Sequence, residues 1–199
     1  MPKAFSQSER ERIVLQLQAA AEESIKRVGI KRTTVDDLAK AARIPKGTFY
    51  LFYTSKEQLV FEVIMQWHAR IHAKLIDAFS TLGTGCNVDE LTEVVFGGFQ
   101  VLYETALPAL MLSGELDTLI RKLPEQIVRE HFKQDDDQLS QLFDILPHIS
   151  EHKKQVFSAA MRMLFFSVAH TREIGEELLE ETLRLCIRGL IIQLLEEEQ

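Results

Sequence analysis

Lys46, Gly47, Thr48 and Tyr50 lie within five positions of one another, directly after Pro45. A cation, a hydroxyl and a phenol at that spacing suit contact with phosphate oxygens and base edges. The glycine among them lets a helix backbone come close to whatever it faces. Thr33 and Thr34 stand just ahead of Val35-Asp36-Asp37, at a helix start, where hydroxyls and free backbone N–H groups suit a phosphate. Arg43 and Lys56 place further cations on either side. Other groupings point to less. His68 and His72, and again His148 and His152, have the i, i+4 spacing of metal ligands on a helix face. No HExxH surrounds them and no cysteine is near, so ordinary packed or surface histidines are expected, with no metal and no cofactor. Asp135–Asp137 lacks the glycine and spaced ligands of a calcium loop and reads as a solvated turn. Cys86 and Cys186 are far apart and form no CxxC, which argues against a disulfide framework or a zinc module. No nucleophile, base and orienter are arranged for catalysis, so no enzyme is expected.

The elements that must hold these residues read as helical along the whole chain. Ile13, Leu17, Ala21, Ile25 and Val28 fall on one helix face, followed by Gly29 at a position suited to a left-handed cap and Ile30 placed to pack back. Thr34 and Asp37 have capping-box spacing, and Val35, Leu38, Ala39 and Ala42 give a two-turn amphipathic helix. Pro45 then opens a third helix, expected over 45–52. Ser55 and Gln58 cap a long fourth helix over 55–81, with Leu59, Val63, Trp67, Ile71, Leu75 and Phe79 as its stripe. Helices over 89–105, 151–170 and 176–196 follow, with shorter ones between. The first of these is apolar on nearly all sides and so central. The fold class is all-α, about nine helices, with no strand alternation and no internal repeat.

Two short helices joined by a tight turn and braced by a first helix have the plan of a helix-turn-helix. Charge agrees. The chain of 199 residues carries a formal net charge of −7, which taken whole points away from nucleic acid. Residues 1–56, however, hold 11 Lys+Arg against 6 Asp+Glu, and residues 57–199 hold 12 against 24. The run Thr33-Thr34-Val35-Asp36-Asp37-Leu38-Ala39-Lys40-Ala41-Ala42, then Ile44-Pro45-Lys46-Gly47-Thr48-Phe49-Tyr50-Leu51, then Ser55-Lys56-Glu57-Gln58-Leu59, closely resembles the N-terminal domain of TetR-family transcriptional regulators. The resemblance covers about residues 11–60. It implies that Thr48 and Tyr50 contact phosphates or bases and that Lys56 grips the DNA backbone. Phe49 is expected to pack inward against Leu38. The sequence departs from the family at two places. Arg43 stands where the family usually has glycine, so it either tolerates that backbone or marks a different turn. Phe52-Tyr53 stands where the family usually reads Tyr-Phe, so the buried and the outward aromatic are exchanged or shifted.

The resemblance also implies a helix-turn-helix domain at 1–54, joined through the fourth helix to a ligand-binding and dimerisation domain at 55–199. The dimer surface implied is the last two long helices, where Ser158, Ala159, Ala160 and Gly189 permit close approach and Leu178, Leu185, Ile192 and Leu195 supply apolar area. Candidate effector-lining residues are Trp67, Phe96, Phe99, Tyr103, Met111, Phe143, Met161 and Phe165, a mainly apolar set with Tyr103 or Gln100 as polar anchors. Gly97 and Gly98 either allow close packing or leave space for a ligand. The expected function is a cytoplasmic, ligand-responsive regulator, a repressor, that binds a palindromic double-stranded DNA operator as a homodimer and is released by a small apolar effector. An effector-independent architectural DNA-binding protein and a helical small-molecule carrier stand as alternatives. No run is long enough to cross a membrane, and the N-terminus has no apolar signal region.

Overall fold

Local side-chain bonds fix where the helices begin. Ser6 caps α1 (Gln7–Arg32): its Oγ accepts the Glu9 N–H, and the Glu9 carboxylate accepts the Ser6 N–H in return. Thr34 caps α2 (Val35–Ala41) by accepting the Asp37 N–H. Ser55 caps α4 (Lys56–Thr81) through the Gln58 N–H, while the Gln58 side chain reaches the N–H and hydroxyl of Thr54. Asn87 and Glu90 form a reciprocal box at the start of α5 (Val88–Tyr103). The computed structural model describes residues 5–82, 86–130, 149–175 and 177–196. Phe143, His148 and Asp135–Asp137 lie outside the described residues.

The remaining elements are α3 (Lys46–Phe49), α6 (Leu107–Leu112), α7 (Glu115–Ile120), α8 (Glu151–Ser167), a 3-10 turn at Val168–His170, α9 (Thr171–Ile174) and α10 (Leu179–Leu195). These are ten α-helices with described bounds; residues 125–130 are helical as well, and no described residue is in a strand. α4 packs against both α1 and α5, and α10 packs against α5 and α8. α5 is therefore the central element that its all-round apolar sequence implies, burying Leu91, Phe96, Gly97, Gly98, Phe99 and Leu102. The buried side chains run as one cluster from Ile13 in α1, through Trp67 in α4, to Ile191 in α10.

Two boundaries differ from expectation. α1 does not end at Val28. Gly29 takes φ +79°, kinks the helix, and a last turn continues to Arg32 with Ile30 buried. α3 is a single turn rather than two. Beyond Phe49 the chain continues as overlapping turns, with the N–H groups of Leu51, Phe52 and Tyr53 bonded to Thr48 and Phe49 carbonyls. Pro45, whose fixed φ suits a helix entry, precedes α3 rather than opening it.

Candidate nucleic-acid interface

The turn between α2 and α3 keeps the glycine-type geometry with an arginine in it. Arg43 has φ +56°, the only non-glycine residue with positive φ among those described. The Ile44 N–H bonds the Ala39 carbonyl and the Arg43 N–H bonds the Lys40 carbonyl, the Schellman pattern that a left-handed residue closes. An L-residue in that region costs about 1–2 kcal/mol. The benefit visible in the fold is an exposed guanidinium beside the third helix.

α3 presents a bare face to solvent. Lys46, Gly47 and Tyr50 are exposed, and Thr48 is half-buried. A Cβ at Gly47 would meet nothing within 4 Å, so the helix backbone is open to a surface laid against it. Phe49 is fully buried in the cluster that holds Leu38, and the Tyr50 ring stands edge-on to it with centroids 5.4 Å apart. The aromatic order after α3 is settled. Tyr53 is buried, with its hydroxyl 3.5 Å from Gln18 Nε2, and burial together with Glu62 pushes the phenol pKa well up. Phe52 is half-buried and covered by Phe5 and by the Arg10 guanidinium, 4.9 Å from its ring centre. One pairing on this face has no signature in the sequence. Lys46 Nζ lies 2.6 Å from Asp36 Oδ2, an exposed ion pair that competes with any phosphate for the lysine.

Two expected phosphate ligands make bonds within the fold. The Thr33 side chain is completely buried; its Oγ1 donates to the Gly29 carbonyl and bonds Ser24 Oγ. Its hydroxyl closes the kink of α1 and does not face outward, whereas Thr34 is exposed. Lys56 is half-buried, and its ammonium donates to the Ile30 and Thr33 carbonyls at 3.0 and 2.8 Å. The lysine thereby ties the start of α4 to the end of α1. A cation in the first turn of a helix opposes the macrodipole, and these two bonds are its compensation.

Further polar ties join α1 and α4 to each other and to the chain that follows them. The Glu22 carboxylate on α1 accepts from Trp67 Nε1 at 3.0 Å and from Arg70 at 3.0 Å, both on α4, and pairs with Lys26. Burial works to raise the Glu22 pKa, and the three donors outweigh it, so the net shift is downward. Glu115, the first residue of α7, accepts the Ile30 N–H at 2.5 Å and the Lys31 N–H at 3.1 Å. Lys122 pairs with Glu57 at the start of α4 at 3.1 Å.

Three of the effector-lining candidates, Trp67, Phe96 and Phe99, sit within the packed interior. Trp67 is fully buried between α1 and α4. Phe96 and Phe99 are buried, and the Arg184 guanidinium covers the Phe96 ring at 3.8 Å. Tyr103, Met111, Met161 and Phe165 are half-buried and Gln100 is exposed. Gly98 serves close packing: a Cβ there would lie 3.0 Å from Leu75 Cδ2 on α4. A cleft of about 350 Å³ opens elsewhere, between α1 and α6–α7, beside Ile25, Lys26, Ala106, Leu110 and Glu115. The last long helices carry apolar side chains outward. α8 has no fully buried residue, and Val156, Met163 and Phe166 on it are exposed. On α10, Leu183, Ile187 and Ile191 are buried, while Leu185 and the preceding Leu178 are exposed. Among the described residues no group of three or more His, Cys, Asp or Glu is placed to hold a metal ion. No described helix is long and apolar enough to cross a membrane.

Residues 17–63, which hold most of this constellation, match the family described as bacterial regulatory proteins, tetR family. Over these residues the chain is similar to that family. An uncharacterized HTH-type transcriptional regulator of Bacillus subtilis (strain 168), YhgD, is 40% identical over 55 residues, 28% of this chain and 27% of that protein. The aligned part thus spans about a quarter of that curated relative. Solved TetR-family structures share the fold along nearly the full length. One from Mesorhizobium loti MAFF303099 aligns with a TM-score of 0.69 at 15% identity, covering 95% of this chain and 98% of that one. SCO4454 from Streptomyces coelicolor aligns at 0.63 and 14%, covering 94% and 97%. FadR of Thermus thermophilus, a TetR-family transcriptional repressor in complex with lauroyl-CoA, aligns at 0.58 and 21%, covering 96% and 97%. Within the helix-turn-helix unit Thr33 turns inward, and Lys56 bonds two carbonyls at the end of α1. Glu22, Asp36 and Glu115 carry its other polar ties and have no signature in residue spacing.

Proposed function

We propose that the protein is a cytoplasmic, homodimeric, ligand-responsive transcriptional repressor that binds a palindromic DNA operator with α3 in the major groove. The observation that carries the reading is the bare face of α3. Gly47 has open space above it, Lys46 and Tyr50 on the same turn are exposed, Thr48 is half-buried, and Thr34 and Arg43, at the two ends of α2, are exposed. A helix one turn long can offer only a few side chains to base edges, so a single head reads little sequence. Two heads spaced at about 34–36 Å read two half-sites and multiply that specificity. The second head is supplied by dimerisation through α8 and α10, whose exposed Val156, Met163, Phe166, Leu178 and Leu185 need a cover.

The effector is a small, mainly apolar molecule taken up in the body, where the half-buried Tyr103, Met111, Met161 and Phe165 would line its path. The lauroyl-CoA held by the Thermus thermophilus fold relative supports an acyl chain as the first class to try. Effector and DNA then oppose each other by one shared coupling free energy, commonly about 1–3 kcal/mol.

The test starts from a random pool of DNA duplexes selected on the full-length protein. The reading requires a palindromic consensus, bound at least about tenfold more weakly by Tyr50→Ala, since a base pair left unread typically costs about 1–3 kcal/mol. Selection of no palindrome, or unchanged binding by Tyr50→Ala, overturns it. Lauroyl-CoA and free fatty acids of graded length are then titrated into the complex. Release with a chain-length optimum supports the effector class, and no release by any of them removes it.

A further inference from the structure

A body that senses something must hold the reading head at a defined angle, and the bonds that set this angle can be identified. α1 and α4 cannot shift freely against each other. They are locked at the DNA end by Lys56 on the Ile30 and Thr33 carbonyls, and half-way along by Trp67 and Arg70 on Glu22. α1 and α4 thus form one rigid stalk carrying α2 and α3. Near the head, the body grips that stalk through two polar ties. Lys122–Glu57 is the weaker, a surface pair whose lysine is 57% exposed. Glu115 is the stronger, because a carboxylate accepting two backbone N–H groups makes charge-assisted bonds.

The site is shaped for that carboxylate. The kink at Gly29, φ +79°, turns the N–H groups of Ile30 and Lys31 toward α7. A Cβ at Gly29 would lie 2.9 Å from Glu115 Oε2 and 3.0 Å from Oε1 and so press on the carboxylate, and the φ of +79° strains any other residue there. Beside it lies the 350 Å³ cleft, so α1 and α6–α7 meet here at a point and not along a filled seam. α7 in turn packs on α6, and α6 packs on the Val168–His170 turn that ends α8. A continuous run of packed elements therefore joins the apolar face of α8 to the end of α1.

We infer that Glu115 is a positioning residue for DNA binding: by holding the N–H groups of Ile30 and Lys31 it fixes the head against the body, and so fixes the separation of the two recognition helices in the dimer. This rests on the dimeric DNA-binding reading above. Without the Glu115 carboxylate each head stays intact and α4 still packs on α5, but the end of α1 is released from α7 and the head's angle is loosened. The demand for one half-site spacing is therefore relaxed, and recognition of a half-site is not weakened.

The experiment uses the full-length protein and the palindrome selected by the unaltered chain. Companion duplexes carry one half-site only, or the two half-sites one and two base pairs closer or farther apart. The unaltered protein is expected to prefer the selected spacing by about fivefold or more, the scale of ordinary site-to-site coupling. Glu115→Ala is expected to flatten that preference to within about twofold, with affinity for the single half-site unchanged. Gly29→Ala, which pushes on the carboxylate and strains the kink that turns the two N–H groups toward it, should flatten it in the same way. Glu115→Gln retains an acceptor oxygen and should keep an intermediate preference. Thermal unfolding is followed in parallel, and if Glu115→Ala does not fold, Gly29→Ala and Glu115→Gln decide the matter. A spacing profile unchanged in the folded variants overturns the inference, as does disappearance of half-site binding together with spacing preference. A wild-type chain that selects no palindrome overturns the dimeric DNA-binding reading itself, which separates the two failures.

Discussion

At the scale of single residues, the reading face holds its main cation in check. Lys46 Nζ is 2.6 Å from Asp36, and that pair holds the lysine pKa up. A phosphate must displace the carboxylate to gain the lysine, and the carboxylate itself repels the DNA. Asp36→Asn should therefore tighten DNA binding about three- to tenfold at low salt and steepen the salt dependence by about one counterion. Fluorescence anisotropy over a salt series checks this, and the gain should vanish in Asp36→Asn combined with Lys46→Ala. Lys56 is the contrasting case. Its two carbonyl partners lie within the protein, and only the Ile30 carbonyl has a second donor, the Thr33 N–H, so Lys56→Met should cost about 1–3 kcal/mol in denaturant unfolding, the penalty of leaving the part-buried Thr33 carbonyl without its donor. An unchanged unfolding midpoint would return Lys56 to the role of a free surface cation. Residue roles were legible only where the partner is local. Thr34 and Ser55 cap the helices that directly follow them, and the sequence shows both. Thr33, one position earlier, turns inward because Ser24 and Gly29 supply its partners, which no spacing rule records.

At the scale of elements, apolar periodicity identified the long helices because each buries one stripe on a neighbour. The buried residues Leu59, Val63 and Trp67 of α4 are the expected ones. α3 escaped this logic, since a four-residue helix has no period, and its end is decided by tertiary turns at Tyr50–Tyr53. The ties between α1 and α4 were equally hidden. A hint did exist: Gly29 at a helix end leaves backbone groups that must find partners somewhere, and the answer is Thr33, Lys56 and Glu115. The Glu22 junction makes the α1–α4 stalk sensitive to acid. Its carboxylate pKa is depressed below the ordinary 4.5, so the charged form is favoured by folding. That stabilisation is fully present above pH 4.5, and it is lost as pH falls through the lower value in the folded protein. The melting temperature of wild type should exceed that of Glu22→Gln by a constant margin near neutrality. The margin should shrink as pH drops below 4.5. A margin that does not change with pH would show that the Glu22 charge contributes nothing to the joint.

At the scale of the whole molecule, α10 and the residue before it have two apolar sides with different fates. Leu183, Ile187 and Ile191 cover α5, and Leu178 and Leu185 are exposed, as are Met163 and Phe166 of α8. The sequence offered Leu178 and Leu185 as apolar area for a dimer, with no separate place for Leu183, Ile187 and Ile191. It did not show which side belonged to the subunit's own core, because α5 and a partner helix offer the same kind of surface. Leu185→Glu places a charge on the outward side only. It should convert the protein to a monomer in sedimentation velocity while leaving the helical signal largely intact and abolishing preference for a two-half-site duplex. A dimer that survives this change would locate the interface elsewhere.

α8 has no fully buried side chain, yet Phe157, Met161, Leu164 and Phe165 rest against the core. A helix held on one flank only draws much of its order from whatever covers the other. Its amides should therefore exchange with solvent deuterium more slowly as protein concentration rises, over residues 151–167 and not over the buried centre of α4. Folding of this helix and association of the subunits would then be one equilibrium observed in two ways.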